Sequence, residues 1–216
     1  MRARFANKAM VMVTGLALLV ALGLPEPARA HEAHHAQGKA DKAPGRVRVK
    51  LPDTALVDQD GKSVRLRTEA MAGRLVVVNF VYTTCTTVCP VQSALIADLR
   101  KRLGDRAGRD VALISVTVDP LRDTPQRLKE FAARFGDGPG WRLLTGSRQA
   151  VDEVLKAFDA YTSNYADHPA VVLVGDSRSG EWVRFFGFPG PDDVMGRMND
   201  LQAAREHAAH AALVTR

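Results

Sequence analysis

The chain has 216 residues, of which 46% are apolar and 25% are charged, with 17 Gly, 11 Pro and 2 Cys. This length fits one fully cored domain, and the composition excludes a collagen-like chain, a multi-disulfide scaffold and global disorder. The net charge of +6 lies partly in the first 30 residues, and the remaining basic residues are scattered without interleaved aromatics. We therefore expect no nucleic-acid partner.

The first 30 residues have the pattern of an export signal. Arg2, Arg4 and Lys8 precede 16 uncharged residues (9–24), and the small-x-small triplet Ala28-Arg29-Ala30 follows. The pattern predicts a signal peptide over residues 1–30, with retention as a membrane anchor as the alternative. We expect an exported, periplasmic protein that is either soluble or anchored near a membrane by this segment.

A short polar stretch separates this leader from the predicted domain. Residues 31–46 are aperiodic and rich in Ala, Gly and His, which predicts a flexible tether. The folded domain is predicted to span residues 47–210. It begins with a β-hairpin, because two short apolar segments, at 56–57 and 64–66, flank a Gly-containing loop.

Strands and helices are then predicted to alternate along the chain. Two continuous apolar runs rich in β-branched residues, 75–81 and 111–118, are typical of strands buried on both faces. Helical periodicity or capping signals predict helices over 90–103, from Pro125 to Phe135, around 151–158 and from Pro191 onward. Further strands are predicted at 142–144, 171–174 and 181–186, the last two as an antiparallel pair.

This order places parallel crossovers before an antiparallel hairpin. It predicts an α/β fold of the thioredoxin-like sandwich type, with a central mixed sheet flanked by helices and an N-terminal β-hairpin.

The two cysteines, Cys85 and Cys89, lie between the first buried strand and its helix. The carboxyl end of a central strand is where open α/β sheets place their chemistry. With Pro90 as the first helical residue, Cys89 is predicted beside the helix N-terminus, which favours thiolate over thiol. The alternative to a functional pair is a plain structural disulfide or two buried thiols. In an oxidising compartment a free pair needs a metal or a reducing partner.

A third donor is predicted at His168. This residue precedes the 171–174 strand, and Pro169 favours an extended conformation for it. In a thioredoxin-like sheet the residue that enters this strand faces the cysteines. The alternative interpretation is that His168 is an ordinary histidine in a surface loop. Two thiolates and one imidazole form a soft donor set that selects copper(I) and can also hold copper(II).

Three segments of the chain carry a family resemblance. The sequences VVVNFVYTTCTTVCP, SVTVDPLRDTP and DHPAVVLVGD, the last followed by GEWVRFFGF, resemble those of the Sco/SenC family of thioredoxin-like copper-binding proteins. The resemblance implies that Cys85, Cys89 and His168 are copper ligands. Many members have Pro-Asp between the cysteines where this chain has Thr86-Thr87-Val88, which leaves the client protein open.

The function implied by the resemblance is that of a metallochaperone. It would deliver copper to the CuA site of a respiratory oxidase, or act with another copper or thiol carrier, and we expect a monomer. The alternative is an enzyme, a thiol-disulfide oxidoreductase in which Cys85 and Cys89 form a redox pair that keeps a client's cysteines reduced. A peroxidase relative is a third hypothesis, since Thr83 or Thr84 partly reproduces a T-x-x-C pattern.

Several other polar residues allow two interpretations. Asp119 either supports His168 or shapes a turn, and Asp123 or Thr124 is predicted to cap the following helix. The remaining histidines form either a copper-gathering set or a solvated surface; they are His31, His34, His35, His207 and His210.

Overall fold

The computed structural model describes residues 44–136 and 138–214. The predicted signal peptide and residues 31–43 of the predicted tether lie outside the described residues, and so do His31, His34 and His35. Among the residues described, no helix combines the length and the apolar character needed to cross a membrane.

The described residues form eight strands and four α-helices around one sheet. The strands are β1 (Gly45–Arg48), β2 (Ala55–Asp58), β3 (Ser63–Arg65), β4 (Leu75–Val81), β5 (Val111–Thr117), β6 (Trp141–Thr145), β7 (Val171–Asp176) and β8 (Glu181–Phe186). The helices are α1 (Val88–Leu103), α2 (Pro125–Ala133), α3 (Arg148–Ala157) and α4 (Pro191–Val214). A π-helical turn (Leu66–Met71) and two 3-10 turns (Gly104–Arg106 and Tyr165–Asp167) complete the described elements.

The sheet is mixed, with the strand order β1-β8-β7-β4-β5-β6-β2-β3. Strands β4, β5 and β6 are parallel, whereas the other neighbouring strands pair antiparallel. The predicted α/β class, the central mixed sheet and the N-terminal hairpin, formed by β2 and β3, are confirmed.

The core lies on both faces of the sheet. Every residue of β4 and β5 is buried, and because successive side chains of a strand point to opposite faces, each strand supplies both layers. One layer contains apolar residues of α1, α2 and α4, and the other contains those of α3 and the π-helical turn. This two-sided burial explains why both strands are continuous apolar runs.

Two details differ from the sequence predictions, and a third, the cap of α2, was left open between Asp123 and Thr124. Strand β1 was not predicted: Gly45 and Arg46, assigned to the tether, pair with β8. Helix α1 begins at Val88 rather than at Pro90, because a proline is tolerated throughout a first turn, where its missing N–H would have no intrahelical partner. The cap of α2 is Thr124, whose side chain accepts a hydrogen bond from the Arg127 N–H at 3.3 Å.

Candidate metal centre

The predicted site residues lie at one edge of the sheet. Strands β4 and β5 end there, and β7, which is antiparallel to β4, begins there. Cys85 follows β4, while His168 precedes β7 and has the extended backbone that Pro169 was expected to impose (φ −61°, ψ 140°). Strand topology therefore brings residues more than 80 positions apart to the same edge.

The cysteines occupy a tight loop and the first turn of α1. The Cys85 N–H donates to the Tyr82 carbonyl at 3.1 Å, which closes a turn directly after β4. The Cys89 N–H, in the first turn of α1, donates to Cys85 Sγ at 3.3 Å. Both thiols are free and buried, with Cys85 7% exposed and Cys89 fully inaccessible at 0%.

The two thiols have opposite electrostatic environments. Burial alone would raise the pKa of Cys85, but hydrogen bonds from the Cys89 thiol, the Cys89 and Thr87 N–H groups and the Tyr82 side chain lower it to about 7. Burial raises the pKa of Cys89, and the Cys85 sulfur and the nearby Asp123 carboxylate act in the same direction. The prediction that the helix N-terminus favours thiolate at Cys89 is therefore wrong: its N–H groups point to Cys85.

A buried carboxylate fastens the cysteine loop to the neighbouring strand. Asp123, 1% exposed, accepts hydrogen bonds from the Thr83 hydroxyl at 2.6 Å and from the Thr117 hydroxyl at 2.5 Å. The Thr83 N–H also donates to both carboxylate oxygens at 3.2 Å. Asp123 thus joins the residue two before Cys85 to the end of β5, a role that the sequence analysis missed by treating it as a helix cap.

The imidazole of His168 is oriented with one nitrogen free. Its Nδ1 atom lies 3.0 Å from the Tyr165 carbonyl oxygen, and because a carbonyl only accepts, Nδ1 carries the hydrogen. The buried Nε2 atom makes no hydrogen bond. Burial lowers the pKa of His168, against smaller opposing effects of the Tyr165 and Phe80 carbonyls, so the neutral ring presents an unused lone pair at Nε2.

Aromatic residues connect the imidazole to the cysteine loop. The Tyr82 ring packs edge-on against the His168 ring, with 5.6 Å between centroids, and against the Tyr165 ring at 5.2 Å. The Arg122 guanidinium lies 5.4 Å from the centroid of the Tyr165 ring. The sequence analysis missed Tyr82 and Tyr165. Each tyrosine lies three residues before a predicted ligand, Cys85 or His168, but the sequence did not indicate that the two rings are in contact.

The three predicted donors share the edge without forming a closed cluster. Among the residues described, no three His, Cys, Asp or Glu side chains are placed to hold a metal ion together. The chemistry of the donors nevertheless fits a soft cation, because two free thiols and an unpartnered imidazole nitrogen are available. A local movement of His168 or of the cysteine loop would be needed for all three to bind one ion.

The other polar candidates lie around or away from this site. Asp119 lies two residues after the end of β5. Its buried carboxylate forms a salt bridge of 2.9 Å with the exposed Arg122 side chain. Its carbonyl accepts the N–H groups of Arg122 and Asp123, in agreement with a turn. His207 and His210 lie on α4, and both are exposed.

Comparison with known proteins gives a consistent family assignment. The SCO1/SenC family model matches residues 50–197. The SCO1 protein homolog of Bacillus subtilis is 41% identical over 106 residues, which cover 48% of this chain and 53% of the relative. Protein SenC of Rhodobacter capsulatus is 33% identical over 156 residues, covering 72% of this chain and 66% of that protein. The match spans about half of the length of the Bacillus subtilis relative.

Solved structures of similar proteins share the fold. A SCO1/SenC family lipoprotein from Bacillus anthracis has a TM-score of 0.62 and 28% identity, covering 73% of this chain and 97% of that chain. ScoI of Bradyrhizobium japonicum, solved with copper bound, has a TM-score of 0.57 and 28% identity, covering 68% of this chain and 96% of that chain. The thioredoxin-like sandwich predicted from the element order is confirmed.

Proposed function

Because this chain belongs to the SCO1/SenC family, we propose that it is an exported metallochaperone that binds copper through Cys85, Cys89 and His168. The observation that carries the proposal is the donor set itself: two free thiols and a neutral imidazole with an unpartnered nitrogen lie at one sheet edge. Soft donors of this kind select copper(I), whereas structural zinc requires four protein ligands. The copper bound in the structure of the Bradyrhizobium relative supports copper as the ion.

The proposed client is the copper-site subunit of a respiratory oxidase. In this proposal the protein is a monomer and passes its copper ion to that subunit. Transfer by ligand exchange needs donors that a partner can reach, and Cys85 is the more accessible of the two thiols. A client ligand would first replace one sulfur on the copper ion, after which the remaining protein donors leave in turn. The proposed leader places this exchange outside the cytoplasm, with the domain soluble or held near a membrane.

Copper binding by variants tests the donor set. The reduced protein should bind about one copper(I) ion per chain, and either Cys85→Ser or Cys89→Ser should abolish tight binding. His168→Ala should weaken binding and remove the nitrogen contribution to the copper X-ray absorption spectrum. His207→Ala, in an exposed histidine of α4, is the matched control and should leave both unchanged. Failure of the reduced wild-type protein to outcompete a simple monothiol for copper(I) would overturn the proposal.

A second function is favoured by the unequal thiols. A lowered pKa at Cys85 and a raised pKa at Cys89 suit an attacking and a resolving cysteine. The Cys85 thiolate would attack a client disulfide and release one client thiolate. Cys89 would then lose its proton and attack Cys85 Sγ, which forms the Cys85–Cys89 disulfide and releases the second client thiol. Two electrons pass to the client, and an external dithiol reductant must restore the pair.

Trapping experiments distinguish this oxidoreductase from the copper carrier. Without copper, the Cys89→Ser variant should accumulate a mixed disulfide with a disulfide-bonded peptide from the copper site of an oxidase subunit. The Cys85→Ser variant should accumulate much less, because its remaining thiol is fully buried. Equal trapping by both variants would contradict the assignment of Cys85 as the attacking residue, and no trapping by either would leave the copper carrier as the sole function.

A further inference from the structure

Tyr82 touches each of the three proposed copper ligands through a different part of the residue. Its side chain lies beside Cys85 and helps to lower the pKa of that thiol. Its main chain lies beside both cysteines: its carbonyl accepts the Cys85 N–H at 3.1 Å, and its backbone acts to lower the pKa of Cys89. Its ring packs edge-on against the His168 imidazole, with an interplanar angle of 80°.

The position of Tyr82 in the fold makes these contacts possible. The ladder between β4 and β5 ends with the Val118 N–H donating to the Val81 carbonyl at 2.9 Å. Tyr82 is the next residue, so its N–H is released from the sheet and available to a sulfur. Its carbonyl accepts the Cys85 N–H, and the loop is thereby folded back over the tyrosine.

The Tyr82 ring is itself held in place. It is partly buried, and the Tyr165 ring packs against it at an interplanar angle of 76°. Tyr165 also provides the carbonyl that orients His168. An edge-on pair of aromatic rings is geometrically specific, so a movement of Tyr82 would be transmitted to the imidazole.

We propose that Tyr82 is a positioning residue that sets the placement of both sulfurs and of the imidazole, and that it thereby determines whether copper held by the thiols gains His168 as a third ligand. This inference rests on the proposed copper-binding function. Its physical basis is that three donors from two distant segments have one common neighbour. With the ring in place, the imidazole has fewer orientations to lose when the ion binds, which reduces the ordering cost of binding.

Two substitutions at this position separate the contacts. Tyr82→Phe removes the hydroxyl next to Cys85 and keeps the ring against His168. Tyr82→Leu removes both the hydroxyl and the ring. Neither substitution changes the main chain of residue 82, which lies beside Cys89. Tyr161, which is partly exposed and lies near Lys156, provides the matched control as Tyr161→Leu.

The first measurement uses the copper-free protein. Nitrogen-15 NMR of the His168 ring should show the Nδ1–H tautomer in the wild-type, Tyr82→Phe and Tyr161→Leu proteins. In Tyr82→Leu the ring nitrogens should shift toward the average of the two tautomers, because Tyr165 and His168 lose the ring that packs against both and the imidazole can turn away from the Tyr165 carbonyl. An unchanged tautomer in Tyr82→Leu would overturn the inference even if the protein binds copper.

The second measurement uses copper(I)-loaded protein. Tyr82→Leu should keep two sulfur ligands and lose the nitrogen ligand in X-ray absorption, and a chelator should remove its copper about tenfold faster or more. Tyr82→Phe should keep the nitrogen ligand and release copper about fivefold faster, as expected for the loss of one polar contact beside Cys85. Wild-type release rates in both variants would overturn the inference.

The outcomes remain distinguishable if one part fails. If the wild-type protein binds no copper(I), the proposed function fails, and the NMR comparison still decides whether Tyr82 orients His168. If Tyr82→Leu does not fold, the release rate of the more conservative Tyr82→Phe decides, with an unchanged rate counting against the inference.

Discussion

Removing the Asp123 carboxylate should destabilise the domain at the cysteine loop. The Asp123→Ala variant leaves three buried donors without an acceptor: the Thr83 hydroxyl, the Thr83 N–H and the Thr117 hydroxyl. Each unsatisfied buried donor costs about 1–3 kcal/mol. Since the hydroxyl groups can rotate toward other acceptors, we expect a total loss of about 3–5 kcal/mol in the free energy of unfolding.

Urea unfolding of the reduced, copper-free protein measures this loss. Asp123→Asn keeps one acceptor oxygen and the side-chain size, so it should lose less, about 1–2 kcal/mol. The control is Asp58→Ala, which removes another buried carboxylate that accepts the Asp60 and Lys62 N–H groups in the β2–β3 turn, away from the cysteines. Only Asp123→Ala should also accelerate alkylation of Cys85. A loss below about 1 kcal/mol would refute the reasoning.

Three further predictions test the electrostatics and packing. The alkylation rate of Cys85 should increase with pH, with its midpoint near pH 7. Since the pKa of Cys85 lies below the ordinary value of 9.0, the thiolate should add stability as pH rises from 7 to 9, and that stability should disappear as pH falls through 7. A midpoint of the alkylation rate near pH 9 would contradict the prediction. Arg205→Met should cost about 3 kcal/mol in urea unfolding, because it leaves the buried Asp176 carboxylate without its cation; an unchanged midpoint would show that the pair contributes nothing. Gly175→Ala should cost about 3 kcal/mol, because its Cβ would lie 2.1 Å from the Trp182 ring on the paired strand, and a melting temperature equal to that of the wild type would contradict this.

The main elements could be predicted because their buried positions are occupied by apolar residues in a recognisable pattern. Strands β4 and β5 are buried at every position, so their apolar runs have one reasonable interpretation. Strand β1 could not be predicted, because as an edge strand it buries little: both of its arginines are exposed, and only Val47 contributes to a core layer. Its pairing with β8 depends on main-chain groups, which carry no sequence signal.

The proposed ligands and the residues that hold them differ in how far they could be predicted. Cys85, Cys89 and His168 could be proposed from side-chain chemistry and from strand ends that meet at one edge. Tyr82 and Asp123 act through particular distances to those residues, and such distances depend on where a strand ladder stops and a loop turns. An aromatic or an aspartate in a loop has many ordinary roles, so its type alone does not indicate this one.

The unequal thiols follow from a shift of two residues in the start of a helix. A helix beginning at Pro90 would direct its free N–H groups toward Cys89, but the helix begins at Val88 and encloses Cys89 in its first turn. The N–H groups of Thr87 and Cys89 then point to Cys85, while the sulfur of Cys89 is buried beside the Asp123 carboxylate. A cation bound to both sulfurs would remove this inequality, because it stabilises a thiolate at each. The geometry that would make Cys85 the attacking residue in the metal-free protein is therefore compatible with the proposed copper site, and metal loading and disulfide exchange would compete for the same two sulfurs.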